Sequence, residues 1–269
     1  MSIHSENRRK LTIKSINKLK GKEKIAMITA YDTLFAKIFE SQVDMILVGD
    51  SLNMSFFGKG DTLSASMEQM IYHTKAVCRG AKTPLIVFDM PFGSYNTKEE
   101  ALKNAIRVYQ ETNADALKIE GGSEKAEIVK HLTQNGIAVI SHIGLMPQSV
   151  RGEGGYIVRG KTKEDEEKLL KDAKIMEQAG AFAILLEGIK SDVATKITKN
   201  VTIPTIGIGA GVNCDGQVLV WSDMFGFFED FKPKFVKQYL NGAKLLREAL
   251  GNYVSDVKNG VFPSEEFSY

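Results

Sequence analysis

The strongest constraint on the fold is a rhythm: eight short apolar runs, separated by stretches with helical periodicity. The runs are KIAMITAY, VDMILVGD, PLIVFDM, ADALKIE, IAVISH, FAILLE, IPTIGIG and GQVLVW. Each has the length of a strand and is apolar on both alternating faces, the pattern of parallel strands covered on both sides. Between them, Thr97 to Thr112 predicts a helix, with Thr97 and Glu100 as a capping box and Leu102, Ala105, Ile106 and Tyr109 on one face. Ser123 is placed to cap a helix carrying Ile128 and Leu132 that ends near Gly136. Thr162 is placed to cap another with Leu169, Ala173, Met176 and Ala179, stopping at Gly180. Such alternation allows a doubly wound open sheet or a closed (β/α)8 TIM barrel, and eight strands in 269 residues favour the barrel.

No Pro- or Ser-rich linker, internal repeat or low-complexity tract divides the chain. The expectation is a single (β/α)8 barrel domain over 1–269, with residues 1–24 as an N-terminal extension preceding the first strand. Thirty-five Lys and Arg against 33 Asp and Glu leave a net charge of +2, and the longest basic run is Arg8, Arg9 and Lys10. That balance predicts neither a nucleic-acid nor a membrane-surface partner. Lysines interrupt Leu11 to Lys24 every few positions, so no signal-peptide core follows the basic N-terminus. The most apolar windows are far shorter than the roughly 20 residues that span a bilayer. Cys78 and Cys214 make neither a metal-ligand spacing nor a disulfide framework, which fits small buried residues and a cytoplasmic location.

A barrel of this kind keeps its chemistry at the C-terminal ends of its strands. Five successive candidate strands deliver polar groups there: Asp50 with Ser51, Asp89, Lys118 with Glu120, His142, and Glu187. Each alone has a structural reading. Asp50 could cap a helix or turn, Asp89 could open a turn before Pro91, and Glu120 could sit in a solvated loop. Lys118 could form a structural ion pair, and His142 could be a satisfied core histidine. Their convergence favours function. Asp50, Asp89 and Glu120 make an oxygen-rich set suited to Mg²⁺, which could chelate a 2-oxo acid through its keto oxygen and carboxylate. Lys118 adds positive charge, and Glu187 remains free to take a proton beside the polarised carbonyl, giving an enolate that the metal stabilises. Gly207, Gly209 and Gly211 lack the Rossmann spacing and are read as a close approach of backbone or substrate rather than nucleotide binding.

The ordered motifs VGDS, FDMPFGSY, KIEGG, SHIGLMPQS, GGYIVRG, LLEG, and IPTIGIGAG with CDGQVLV resemble those of the ketopantoate hydroxymethyltransferase family, from about Ala26 to the C-terminus. The resemblance implies a Mg²⁺-dependent barrel enzyme. It would transfer a hydroxymethyl group from 5,10-methylenetetrahydrofolate to 3-methyl-2-oxobutanoate, forming 2-dehydropantoate for pantothenate and coenzyme A synthesis. By the same carry-over, Asp50, Asp89 and Glu120 match metal ligands. Asp50, Ser51, Asp89 and Lys118 match oxo-acid contacts, Glu187 matches the proton acceptor, and His142 matches an active-site position. The loops at Pro91 to Asn96 and Pro147 to Gly160 are candidates for a cover that keeps water out. One departure lies after VGDSLNM, where the chain reads SFFGKGDTLSASMEQM, with Lys59, Gly60 and Asp61 in the loop and Ala65 where the family commonly has proline.

Two alternatives remain at the level of sequence. One is a Mg²⁺-dependent lyase of the phosphoenolpyruvate mutase and isocitrate lyase type, although the chain lacks the Lys-Lys-Cys-Gly-His loop of isocitrate lyases. The other is a catalytically silent barrel that binds an oxo acid. The resemblance further implies a homo-oligomer of several subunits, a decamer among the candidates. In the region Lys234 to Val257, Leu240, Leu245, Leu246 and Leu250 are expected to pack within the chain, with assembly as the alternative.

Overall fold

The structure is a computed structural model, and its described residues are 9–229 and 232–269. Residues 1–8 of the expected N-terminal extension lie outside them. The chain divides into two compact units, one ending at Val220 and the other Trp221–Tyr269.

In the first unit eight parallel strands close into a barrel in sequence order. They are β1 (Ile25–Thr29), β2 (Met45–Val48), β3 (Leu85–Asp89), β4 (Ala116–Glu120), β5 (Val139–Gly144), β6 (Ala183–Glu187), β7 (Thr205–Ile208) and β8 (Gly216–Leu219). Each lies within one of the eight apolar runs except β5, which continues two residues past IAVISH to Gly144, and β2 to β5 and β7 are buried at every position. The helices are α1 (Ile13–Asn17), α2 (Thr33–Phe39), α3 (Leu52–Ser55), α4 (Met67–Gly80), α5 (Lys98–Glu111), α6 (Ala126–Gln134), α7 (Val150–Glu153), α8 (Lys163–Gln178) and α9 (Ser191–Asn200). Among the described residues no helix is long and apolar enough to cross a membrane.

Local chemistry sets the helix ends. Asp32, Ser66, Thr97 and Thr162 accept hydrogen bonds from the otherwise unpaired first-turn N–H groups of α2, α4, α5 and α8. Two details depart from the sequence reading. The Glu100 carboxylate reaches the N–H of Asn96 rather than closing a capping box on Thr97. The buried stripe of α5 is Ala101, Ala105 and Val108, leaving Ile106 exposed, because the helix is rotated toward its small residues for close packing. Ser123 caps nothing: it opens a 3₁₀ turn ahead of α6, and its N–H is taken by Asp172 of α8.

The barrel interior is filled by alternate strand residues. Ile25, Met27, Met45, Leu47, Leu85, Val87, Ala116, Ile140, Ala183, Leu185, Ile206, Ile208 and Val218 form one cluster. Ile16 of α1 joins it, so the segment before the first strand adds to this core. Asp215 ties that segment down, accepting from Lys20 Nζ at 2.8 Å, from the Gly21 N–H at 3.2 Å and from the Thr205 N–H at 2.9 Å. Side chains two residues apart on a strand share a face. The inward rows through Val87, Ala116, Ile140 and Leu185 therefore continue to Asp89, Lys118 with Glu120, His142 and Glu187. The apolar filling ends where the charges begin.

The second unit carries α10 (Trp221–Met224) and α11 (Gly242–Lys258). Along α11 only Gly242 is buried, while Leu245, Leu246, Leu250, Tyr253, Val254 and Val257 are exposed. This corrects the expectation that its leucines pack within the chain. The helix is amphipathic and, apart from the edge contact of Tyr253 with Phe262, its apolar face is exposed among the described residues.

Candidate active site

Strand register brings the charged residues together. Asp89 is the Cα partner of Lys118, Glu120 of His142, and Gly144 of Glu187. The Lys118 ammonium lies 2.6 Å from Asp89 Oδ1 and 3.3 Å from Glu120 Oε1, with all three side chains almost fully buried. Asp50 follows β2 in a turn. Its backbone N–H donates to Asp89 Oδ2 at 3.1 Å, and its own carboxylate stands in the same buried cluster. Ser51 begins the short α3, with its hydroxyl 2.7 Å from the Tyr31 hydroxyl.

His142 stands between two carboxylates, Nδ1 at 3.4 Å from Glu120 and Nε2 at 3.3 Å from Glu187. Neither approach has hydrogen-bond geometry, so both buried ring nitrogens are left without a hydrogen-bond partner among the described residues. Glu187 is the most accessible acid of this network: its side chain is 18% exposed, against 2% for Asp89 and Glu120. Gly144 holds this corner. Its φ is +105°, and a Cβ there would come within 2.3 Å of the Glu187 carbonyl oxygen.

The electrostatics follow from one ammonium serving three buried carboxylates. Burial, and then the Asp89 charge, push Asp50 well above its ordinary value, despite the nearby Lys118. Burial also works against Glu120, but Lys118 and His142 outweigh it and bring Glu120 down to about 2. Burial and Lys118 press His142 toward neutrality, and the carboxylates of Glu120 and Glu187 overcome them, raising it to about 9. Lys118 stays charged, because Asp89, Glu120 and Asp50 more than offset its burial.

All six predicted residues, with Ser51, thus lie at the C-terminal end of the barrel. Among the described residues no three His, Cys, Asp or Glu side chains form a ready-made metal cage. Lys118 instead occupies the space between Asp89 and Glu120.

Two residues at the site were not singled out from sequence. Gln148, in the 3₁₀ turn after β5, donates from Nε2 to Asp50 Oδ2 and to the Met90 carbonyl, both at 2.9 Å. Its backbone N–H donates to Glu120 Oε2 at 3.0 Å. Tyr95 donates to Gln148 Oε1 at 2.5 Å. Both lie inside noted motifs, SHIGLMPQS and FDMPFGSY, but an uncharged amide and a phenol in loops carry no signal until the loops fold back. The unusual Asp61 also gains a place, since Arg151 of α7 donates to its carboxylate at 2.8 and 3.2 Å, joining the loops after β2 and β5.

A separate cavity of about 450 Å³ lies near the N-terminal ends of β3 and β4, lined by Lys10, Cys78, Lys82, Tyr109 and Asp115 among others. Its ionic groups are already engaged: Lys10 with Asp115 at 2.6 Å, and Lys82 with the Cys78 carbonyl. It is remote from the acids above.

Comparison with known proteins bears on the family of the chain. A family model described as ketopantoate hydroxymethyltransferase matches residues 10–265. A protein of Aliarcobacter butzleri named 3-methyl-2-oxobutanoate hydroxymethyltransferase is 64% identical over the whole of both chains. Relatives of the same name from Nitratiruptor sp. and Helicobacter pylori are 61% identical, over 96% of this chain and 98% of that one, and 59% identical over both full lengths. Among solved structures, phosphonopyruvate hydrolase in complex with oxalate and Mg²⁺ superposes with a TM-score of 0.62 at 11% identity, covering 96% of this chain and 93% of that one. For 2,3-dimethylmalate lyase, a member of the PEP mutase/isocitrate lyase superfamily, the values are 0.59 and 15%, with 96% and 92% covered. At such identities the likeness is one of fold. The family model over residues 10–265 and the full-length identity to named members agree: the chain belongs to the ketopantoate hydroxymethyltransferase family.

Proposed function

We propose that this protein transfers a hydroxymethyl group from 5,10-methylenetetrahydrofolate to 3-methyl-2-oxobutanoate, forming 2-dehydropantoate for pantothenate and coenzyme A synthesis. The observation that carries the reading is the division of labour among the acids. Asp50, Asp89 and Glu120 are locked in a buried ionic cluster, whereas Glu187 stands at its edge, partly accessible and beside His142.

Magnesium fits the donor set. Burial, and then the charge of Asp89, push Asp50 up although Lys118 and His142 stand in the same cluster; a hard, oxygen-seeking cation offsets both. Asp50, Asp89 and Glu120 would hold it, and when bound it polarises the keto group of the oxo acid and acidifies the neighbouring C3–H.

The chain's own groups supply the remaining chemistry. Lys118, with Ser51 and the Asp50 and Asp89 region, binds and orients the carboxylate and keto ends of the substrate. Glu187 accepts the C3 proton as that C–H bond breaks. The freed electron pair forms the new bond to the methylene carbon of the folate as one of its two C–N bonds breaks; one water then supplies the hydroxyl oxygen as the second C–N bond breaks, and the proton taken by Glu187 and one from that water go to the two folate nitrogens. His142, charged between Glu120 and Glu187, orients the Glu187 carboxylate. The segments Pro91 to Asn96 and Pro147 to Gly160, stitched by Tyr95 and Gln148, limit the water that reaches the reacting carbon to what the transfer consumes.

The test is product formation from 3-methyl-2-oxobutanoate with and without methylenetetrahydrofolate. Folate-dependent 2-dehydropantoate supports the transferase. Folate-independent C–C cleavage of an oxo acid would instead favour a lyase, and no turnover by the folded, Mg²⁺-loaded protein a silent barrel.

The same reading includes a cytoplasmic homo-oligomer. Both cysteines are free and buried, as suits a reducing compartment. The uncovered apolar face of α11 is the surface we assign to subunit assembly, because a run of exposed leucine, tyrosine and valine is otherwise a solubility liability.

A further inference from the structure

Gln148 joins several segments at the site, and its side-chain bonds go to residues outside β5 and the turn that carries it. It sits on the loop after β5 and touches the segments after β2, through Asp50, and after β3, through Met90 and Tyr95, together with the last residue of β4, Glu120. It is 5% exposed, so these contacts are shielded from water.

Its amide can satisfy them in only one orientation. Two acceptors, the Asp50 carboxylate and the Met90 carbonyl, face Nε2, and one donor, the Tyr95 hydroxyl, faces Oε1. Turning the amide over would set oxygen against two oxygens. Tyr95 keeps its proton for this purpose, since burial, and then the charge of Glu120, raise its phenol above the ordinary value. Lys125 stacks over the Tyr95 ring at 5.3 Å and holds it in place. Beyond Gln148 the same loop runs into α7, whose Arg151 is paired with Asp61.

From this geometry we infer that Gln148 is a positioning residue that couples the carboxylates Asp50 and Glu120 to the placement of the loop covering the site. The inference rests on the reading of those carboxylates as the cation site. The side-chain amide aims Asp50 while the backbone N–H aims Glu120, so one short turn of chain fixes two of the three acids. The linkage is reciprocal: whatever orders the carboxylates also orders the turn and the Arg151 segment that follows it.

The test uses the full chain without substrate. Mn²⁺ serves as the probe ion, its binding read from the electron paramagnetic resonance signal of the free ion. Loop position is read from the rate of tryptic cleavage after Arg151. In the unaltered protein Mn²⁺ slows that cleavage. Gln148→Leu, close in size but without the amide, is expected to weaken Mn²⁺ binding roughly 10- to 100-fold, the usual effect of losing a group that orients metal ligands, and to abolish the Mn²⁺-dependent protection at saturating ion. Tyr95→Phe leaves the glutamine in place and is expected to weaken binding roughly 2- to 10-fold, the worth of one net hydrogen bond. It carries the test if Gln148→Leu does not fold. Unchanged Mn²⁺ affinity in folded variants, or full Mn²⁺-dependent protection in Gln148→Leu, overturns the coupling while leaving the cation site intact. An unaltered protein that binds no Mn²⁺ overturns the cation reading, and the coupling with it.

Discussion

Replacing Lys118 by methionine removes the ammonium paired with Asp89 and Glu120 in the buried cluster while keeping most of its volume. The ammonium is 2.6 Å from Asp89 Oδ1 and 3.3 Å from Glu120 Oε1, and its side chain is 5% exposed. Taking one partner from a buried ion pair strands the other charge, and such losses cost about 3–5 kcal/mol. For a domain of this size each kcal/mol lowers the melting midpoint by about 2–4 °C, so Lys118→Met should melt roughly 6–20 °C lower in EDTA. The origin of the loss can be isolated. Adding Asp89→Asn removes the closest stranded charge and should return about 2 kcal/mol, so the double variant melts above Lys118→Met alone. Mg²⁺ should raise the midpoint of Lys118→Met more than that of the unaltered protein, because it meets an uncompensated set of carboxylates. Differential scanning fluorimetry, with denaturant titration for the free energies, measures all of these. A Lys118→Met midpoint within 2 °C of the original, or a double variant that shows the simple sum of the two losses, would refute the reasoning about the cluster.

Three shorter predictions bear on the scaffold. Gly144→Ala should lower stability and cut turnover at least tenfold, since φ is +105° there and the new Cβ would press on the Glu187 carbonyl; melting and steady-state rates check it. Burial raises the Asp215 carboxyl, but Lys20 and the Thr205 N–H outweigh it and hold it below its ordinary value of 3.8. The stability it lends is thus present above about pH 4 and lost as pH falls through the lowered value, and Asp215→Asn should reduce the neutral-pH midpoint while flattening its fall below pH 4. Finally, Leu246→Glu with Leu250→Glu on the exposed face of α11 should reduce the mass seen by light scattering while leaving the secondary structure by circular dichroism unchanged.

The barrel was legible because parallel strands covered on both faces must be apolar nearly throughout, and eight such runs leave few other arrangements. The charged residues were legible for the complementary reason. Lys118 and Glu120 each allow a structural reading alone, but five successive strands that deliver polar groups at the same end point them together to the barrel mouth. What sequence left hidden depends on contacts between distant segments. The rotation of α5 that exposes Ile106 is decided by its packing partners and not by its own pattern. Ser123 looks like a helix cap, but Asp172, 49 residues away, takes its N–H. Gln148 reaches Asp50 across 98 residues, and a neutral amide in a loop gives no sign of that. The apolar face of α11 was visible, whereas its exposure was not, since a helix carries the same leucines whether it packs within its own chain or on another.

The most direct test of the central claim, that Glu187 takes the C3 proton of the oxo acid at this site, is deuterium exchange at C3 of 3-methyl-2-oxobutanoate, followed by NMR in deuterated water with Mg²⁺ and no folate. The account predicts exchange by the unaltered protein, its loss in EDTA, and at least a 100-fold slower rate in a folded Glu187→Gln variant, within the usual range for a general base. Exchange at the original rate in Glu187→Gln would contradict it.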